Sequence, residues 1–310
     1  MAYIIFIQSL FVRRGIFYVN VIFNSKIIDI FTETNFMYRF LLLLLPVFFS
    51  AQNHRFIYEV NFKKDSTENL YAKEFYFLDI GSEEILYYGK DYFVLDSLRK
   101  NNLSIEFKTM PSLTNITIHK NGSSNYDEYE LLEYDMVKLS SENKQNWKLL
   151  NDKKQIDQYN VQKAETFWGG RKWTAWFTTE IPFQEGPYKF SGLPGMILEL
   201  KDDQNNYSFK VIRSYKLDIV QDKDMFGIFL KNAAPVSLQK YYKIKLSHYQ
   251  DPLSFLKNGM MDLKDYEGVF LKDGTKVTRE NQKQVIEQQQ KIIRKYNNPI
   301  EVDKAIKYTQ

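Results

Sequence analysis

Trp173-Thr-Ala-Trp-Phe-Thr-Thr-Glu-Ile-Pro-Phe-Gln-Glu-Gly-Pro-Tyr-Lys-Phe-Ser-Gly-Leu-Pro-Gly-Met-Ile-Leu-Glu-Leu200 is the stretch on which the fold turns. A strand through Trp173 and Trp176 runs toward Pro182, which has no N–H to give a sheet ladder and so closes it. Trp173 and Trp176 differ by an odd number of positions, so they face opposite sides: one in the core, the other exposed or in a groove. Gly186-Pro187 reverses the chain and leads to Tyr188 and Phe190. Gly192-Leu193-Pro194-Gly195 then places proline second and glycine third in a turn beginning at Leu193, the requirement of a type II turn. Met196, Leu198 and Leu200 alternate with Ile197 and Glu199 as a new strand.

The same grammar extends in both directions. Phe56, Tyr58, Val60 and Phe62 share one face of an alternating strand that ends in the turn Lys63-Lys64-Asp65-Ser66. Residues 75–80 form a more continuous apolar run, and 85–88 and 92–95 follow as strands split by Gly89-Lys90-Asp91. Residues 96–102 read as loop or short helix; 113–119 and 126–137 resume the strands. Further strands are predicted at 147–150, 166–168 and 172–178, with Gly169-Gly170 as the turn between the last two. Residues 196–200 and 207–215 form a hairpin, and Asp273-Gly274 joins another between 269–271 and 275–278. Helix is sparse. Ser237 caps a helix over 237–245, a turn of helix falls near 251–256, and the clearest helix spans 279–296, between Thr278 as N-cap and the stop Asn298-Pro299. Its Val285, Ile286, Ile292 and Ile293 share a narrow face predicted to pack on the sheet. The fold class expected is β-rich α+β: a curved antiparallel sheet, meander or half-barrel, of roughly eight to twelve strands with a C-terminal helix.

Residues 37–51 have the layout of a secretory signal peptide: Arg39, then an apolar run over 40–49, then Ser50 and Ala51. The run is half the roughly twenty residues that a membrane span needs. No cysteine follows it, so a lipid-anchored N-terminus is not expected, and a single domain over 52–310 is. Residues 1–36, with Arg13-Arg14 dividing their apolar stretch and no clear cap, turn or strand alternation, read as an extension from a misassigned start. The competing reading, a further membrane helix, sets two arginines at its centre at high cost.

Composition excludes several classes of site. There are no cysteines and three histidines, His54, His119 and His248, none close in sequence. Thiolate sites, disulfides and paired-histidine metal motifs are thereby ruled out, and no metal ligand set or cofactor is expected. Without residues 1–51 the formal net charge falls from +4 to +2 (38 basic against 36 acidic residues), too balanced for a nucleic-acid or anionic-membrane surface. No Gly-x-Ser-x-Gly elbow or phosphate loop occurs.

The quoted stretch resembles the GLPGLI family of exported Bacteroidota proteins. The namesake residues are Gly192-Leu193-Pro194-Gly195-Met196-Ile197, with methionine in place of the usual leucine, a swap that keeps volume and apolarity. Tyr58-Glu-Val-Asn-Phe62, Gln162-Lys163-Ala164, Gly170-Arg171, Ala175-Trp176, Gly186-Pro187 and Asn298-Pro299-Ile300-Glu301 extend the likeness. It implies a Gram-negative envelope protein, periplasmic, outer-membrane-associated or extracellular, and it implies no activity. Three functional readings stand. The first is a non-enzymatic binding or accessory protein with no transmembrane span in the mature chain and no catalytic residue. It takes a small apolar ligand or an unknown envelope partner through Trp176, Tyr188, Leu193 and Met196, with Gly186, Pro187, Gly192, Pro194 and Gly195 shaping the backbone. The second is a metal-independent hydrolase or isomerase using carboxylates around Glu180 and Glu185. The third is a structural component of an outer-membrane complex. Glu180, Glu185, Asp202 and Asp203 are otherwise expected to face water, and His119 to lie on the surface.

Overall fold

The computed structural model describes residues 53–101, 116–132, 135–217, 230–257, 268–271 and 273–309, together with the backbone of three earlier strands. The chain divides into two units at Ser50. In the first, β1 (Ile7–Arg13), β2 (Ile16–Phe23) and β3 (Lys26–Asp29) pair as an antiparallel meander, in a stretch whose sequence shows no clear alternation. The expected signal segment, residues 37–51, lies outside the described residues.

The second unit is built on a sheet of twelve strands. Its first half is a meander of β4 (His54–Phe62), β5 (Ala72–Ile80), β6 (Glu84–Gly89), β7 (Ile116–Lys120), β8 (Asn125–Leu132) and β9 (Asp135–Glu142). A second meander follows: β10 (Lys148–Ile156), β11 (Tyr159–Trp168), β12 (Arg171–Thr178), β13 (Met196–Asp202) and β14 (Tyr207–Lys216). The halves join where β14 pairs antiparallel with β4, from Tyr207 opposite Phe62 to Lys216 opposite His54. A two-residue β15 (Ala234–Pro235) adds in parallel to β9 at one edge, where Pro235 blunts further pairing. The opposite edge is β10, whose Lys148, Lys153 and Lys154 are exposed, the usual guard against edge-to-edge association.

Connectivity alone forces the sheet to curl. β9 and β10 stand ten strand positions apart, roughly 48 Å across a flat sheet at ~4.8 Å per step. The chain from Glu142 to Lys148 reaches at most about 20 Å. The two edges are therefore brought toward each other around a concave interior, and they are not hydrogen-bonded to one another.

Side-chain parity assigns the faces. Phe56, Tyr58, Val60 and Phe62 of β4, Tyr76, Leu78 and Ile80 of β5, and Ile85 and Tyr87 of β6 meet Trp173, Ala175, Phe177, Leu198, Leu200, Tyr207 and Phe209 from the other half in one core. The alternate residues Phe77, Leu86 and Tyr88 form a second cluster on the outer face with Tyr92. Burial on both faces explains why the sequence of β5 reads as a continuous apolar run. It also explains a correction. Residues 92–95 are not a strand but the first part of α1 (Lys90–Lys100), which lays Tyr92 and Phe93 on that outer cluster. The sequence run over 126–137 is likewise two strands, β8 and β9, paired from Asn125 opposite Glu142 to Leu132 opposite Asp135.

Helix α2 (Leu238–Gln250) is capped as expected, the Ser237 side chain accepting from the Lys240 N–H. A short α3 (Ser254–Lys257) follows, then the hairpin β16 (Val269–Phe270) and β17 (Lys276–Val277). The C-terminal helix α4 (Gln282–Lys295) begins later than expected, with Asn281 rather than Thr278 at the N-cap position. Its Val285 and Ile286 pack with Leu253, Phe255 and Val277 in a small separate cluster, so this part of the predicted sheet-facing stripe serves the C-terminal subdomain instead. Among the described residues no helix is long and apolar enough to cross a membrane.

Candidate functional site

The connection between β12 and β13, residues 179–195, runs inside the curl. Tyr188, Phe190 and Leu193 are buried in the main core, and Phe190 sits edge-on to Trp168 and Trp173 at 4.7 and 4.8 Å between ring centroids. This inner plug also closes the gap between the sheet edges. Asn143, Gln145 and Trp147, on the segment that crosses from β9 to β10, all reach it. Asn143 Nδ2 and Gln145 Nε2 donate to the Lys189 carbonyl at 2.5 and 3.1 Å, and Trp147 Nε1 donates to the Ser191 carbonyl at 2.8 Å. Side-chain amides thus replace the ladder that the two edges do not form.

The Gly-Leu-Pro-Gly turn differs from expectation. The Gly195 N–H donates to the Leu193 carbonyl at 2.7 Å, a three-residue turn centred on Pro194 rather than a type II turn. Gly195 has φ of 151°, and a Cβ there would stand 2.0 Å from the Thr178 carbonyl oxygen. Glycine is required because the plug leaves the core against the end of β12.

At the inner end of the plug lies a buried charge cluster. Lys189 is 1% exposed, and its Nζ donates to Glu128 Oε2 of β8 at 2.5 Å and to Glu301 Oε1 at 2.7 Å. Tyr188 OH is 2.9 Å from Glu128 Oε1 and 2.8 Å from Glu301 Oε1. Its backbone has φ of 59°, unusual for a bulky residue and a mark of a position over-determined by its surroundings. Lys304 completes the group by pairing with Glu301 Oε2. Burial alone would depress the Lys189 ammonium, but Glu128 and Glu301 hold it above its ordinary value. Burial would raise the Glu301 carboxyl, and Lys189 and Lys304 hold it below its ordinary value. Burial and the two carboxylates push the Tyr188 hydroxyl well above its ordinary range.

The sign of these shifts fixes a pH profile. A depressed Glu301 stabilises the fold above the ordinary carboxyl value of 4.5, and that contribution is lost as pH falls through the folded value. A raised Lys189 stabilises below its ordinary 10.5, and that contribution is lost as pH rises through the folded value. The urea midpoint is therefore expected to be flat around neutrality and to drop below about pH 4.5. Glu301→Gln is expected to lower the plateau and to shallow the acid limb; an unchanged acid limb in that variant would remove Glu301 from the explanation.

Arg171 brings the C-terminal segment to this cluster. Its guanidinium donates to the carbonyls of Ile300 and Pro299 at 3.1 and 2.8 Å, to Asn298 Oδ1 at 2.6 Å and to Asp202 Oδ2 at 3.3 Å. Gly170 has φ of 76° and lies flat beneath this segment, where a Cβ would stand 2.7 Å from Val302 Cγ1. Arg171 therefore clamps residues 298–300, and the clamp delivers Glu301 to Lys189.

Above the cluster is a cavity of about 400 Å³. Tyr76 and Tyr87 of the sheet, Glu128 and Glu130 of β8, Tyr188 of the plug and Tyr241 of α2 line it, with Glu301 and Lys304 at the C-terminal side. Tyr76 and Tyr87 stack with centroids 5.1 Å apart and planes 12° from parallel. The cavity thus joins an aromatic wall to a polar one.

Of the four contact residues expected from sequence, Tyr188 lines this cavity, while Leu193 and Met196 are fully buried in the core. Trp173 is the core tryptophan at 0% exposure, and Trp176 is half-buried on the opposite face of β12, beneath Lys154 Nζ at 4.5 Å. The structure does not bring the four together. Two carboxylates differ from the solvent-facing expectation. Glu185 is buried with its Oε2 3.3 Å from His119 Nε2, and His119 is itself buried rather than on the surface. Asp202 is fully buried against Arg171. Glu180 and Asp203 are exposed as expected, and Glu180 accepts from Asn160. Glu180 and Glu185 therefore take separate partners. Among the described residues no group of acids and histidines is placed to hold a metal ion. The residues that reading by sequence missed are Glu128, Glu130 and Lys189. A lysine set directly between the aromatic residues Tyr188 and Phe190 is the available signal.

A family profile described as "Protein of unknown function (Porph_ging)" matches residues 168–199. The GLPGLI-type resemblance holds over this segment. The matched segment holds Arg171, the plug and Lys189, while their partners Glu128, Asp202 and residues 298–304 lie outside it. Against curated proteins the chain has no match. Two solved crystal forms of PNGF-II align with 17% identity and a TM-score of 0.47, covering 63% of this chain and 32% and 33% of theirs. The chain thus spans about a third of the PNGF-II length. A LolA superfamily protein, NE2245 from Nitrosomonas europaea, aligns with 10% identity and a TM-score of 0.25, covering 57% of this chain and 92% of that one.

Proposed function

We propose that the second unit is a non-enzymatic binding module of the cell envelope, and that its ligand is a small molecule held in the cavity above Tyr188. The observation that carries this reading is the cavity itself. Its volume of about 400 Å³ lies in the range of small-molecule sites, and a few fixed polar groups face a tyrosine wall. The strained backbone of Tyr188 and the buried charge of Lys189 support it, because such features persist where a site must hold its shape. Export follows from the layout of residues 37–51. The apolar ligand expected from sequence gives way here to an amphipathic one, since Glu128, Glu130 and Glu301 share the lining with the aromatic rings.

Native mass spectrometry of the chain purified gently from its own cells tests the reading, alongside Ser141→Trp. Ser141 of β9 lines the cavity, and an indole there fills the space. A reproducible small adduct on the natural chain that is lost in Ser141→Trp is the expected result. A bare natural chain, or an adduct unaffected by Ser141→Trp, would contradict the placement.

A further inference from the structure

We infer that the cavity takes a ligand bearing a primary ammonium group, which docks on Glu130 and Tyr241 in the position now held by the side chain of Lys245. This rests on the cavity being the binding site. Glu130 projects from β8 into the cavity and is only 9% exposed. Lys245 Nζ donates to Glu130 Oε1 at 2.9 Å and to Tyr241 OH at 2.7 Å, while Tyr241 OH donates to Glu130 Oε2 at 2.6 Å. The ammonium also lies 4.9 Å from the centre of the Tyr241 ring. The chain therefore displays an ammonium held by a carboxylate, a phenol oxygen and a ring face, the chemistry by which proteins seat amines.

Of the three lysines in or beneath the cavity, Lys304 pairs with Glu301, and the other two have different standing. Lys189 is 1% exposed beneath the floor, shared by two carboxylates and held by the plug. Lys245 sits on the rim, on helix α2, with its side chain 31% exposed. Its flexible stem lets the ammonium reach water, whereas Glu130 cannot follow it out of the sheet. A departing Lys245 leaves a buried carboxylate that needs a cation. The neighbouring hydroxyls bring no positive charge in its place. Tyr92 of α1, Tyr241 of α2 and Tyr308 near the C-terminus stay neutral, because burial together with the Glu130 charge raises each of them, Tyr308 to about 12. Glu128 and Glu301 lie on the same lining but are already committed to Lys189. Glu130 is thus the carboxylate whose partner a ligand replaces, and the stacked Tyr76–Tyr87 pair offers an apolar wall to the body of such a ligand.

Chemical rescue tests this with the full chain, using 1-pentylamine as probe and 1-pentanol as its uncharged counterpart. Lys245→Met is expected to melt below the natural chain and to regain melting temperature saturably with pentylamine but not with pentanol. Its apparent affinity for the amine is expected to be about tenfold tighter than that of the natural chain, whose own lysine competes. Adding Glu130→Gln should abolish the rescue. If Lys245→Met does not fold, the comparison of the natural chain with Tyr241→Phe and Glu130→Gln decides, each expected to weaken amine binding at least tenfold. Equal effects of amine and alcohol, or rescue that survives Glu130→Gln, would overturn the inference. With an adduct still blocked by Ser141→Trp, that result leaves the cavity as the binding site for another ligand class; without an adduct, both readings fall.

Discussion

Replacing Lys189 by methionine is expected to lower the unfolding free energy by about 3–5 kcal/mol, the cost of leaving buried carboxylates without their cation. Methionine keeps the length and apolar stem, so packing changes little and the loss is electrostatic. Glu128 and Glu301 then share the single hydroxyl proton of Tyr188, and Glu301 keeps Lys304, but this does not replace an ammonium at 2.5 and 2.7 Å. Urea unfolding reads the effect as a lower midpoint at unchanged slope. Combining Lys189→Met with Glu128→Gln and Glu301→Gln should restore much of the loss, because the penalty lies in unpaired charge rather than in absent contacts. A drop below about 1 kcal/mol in the single variant would mean that the carboxylates reach water or another cation, and the buried cluster would not be the keystone described here.

Arg171→Ala is the second large effect, again about 3–5 kcal/mol. Asp202 is fully buried and loses its guanidinium, although Tyr207 N–H at 2.7 Å and Asn206 still donate to it. Three acceptors of the C-terminal segment, Asn298 Oδ1 and the carbonyls of Pro299 and Ile300, lose their donor at the same time. Freed of the clamp, that segment no longer holds Glu301 against Lys189. The two substitutions are therefore coupled: Arg171→Ala with Lys189→Met should cost less than the sum of the singles by about 0.5–3 kcal/mol. Strict additivity would separate the clamp from the cluster.

Local periodicity made most of the sheet legible. Strands such as β4, where buried Tyr58, Val60 and Phe62 alternate with half-buried Glu59 and Asn61, and the hairpin of β13 and β14 announce themselves because apolar and polar residues alternate. Reading failed where burial was two-sided. Residues 92–95 look like a strand because Tyr92 and Phe93 are apolar in succession, yet they are the helix that covers Phe77 and Tyr88. The curl was anticipated from strand number and turns, but its reason, the short crossing from Glu142 to Lys148, needs the strand order. The site was the least legible part. Lys189, Glu128 and Glu301 are separated by up to 173 positions and share no pattern; only the fold makes them neighbours. Tyr188 belongs to the core and also reaches the cavity, whereas Leu193 and Met196 lie wholly in the core. Sequence periodicity cannot say which side of an inserted loop meets a cavity.

The most direct test of the central claim is a crystal structure of the chain purified from its own cells without added ligand. The account predicts density for a bound small molecule between Tyr188, Glu130 and the Tyr76–Tyr87 wall, above an intact Lys189–Glu128–Glu301 cluster. A cavity collapsed onto its own side chains, or holding ordered water alone around that intact cluster, would make the buried charges a device for stability and not the floor of a binding site.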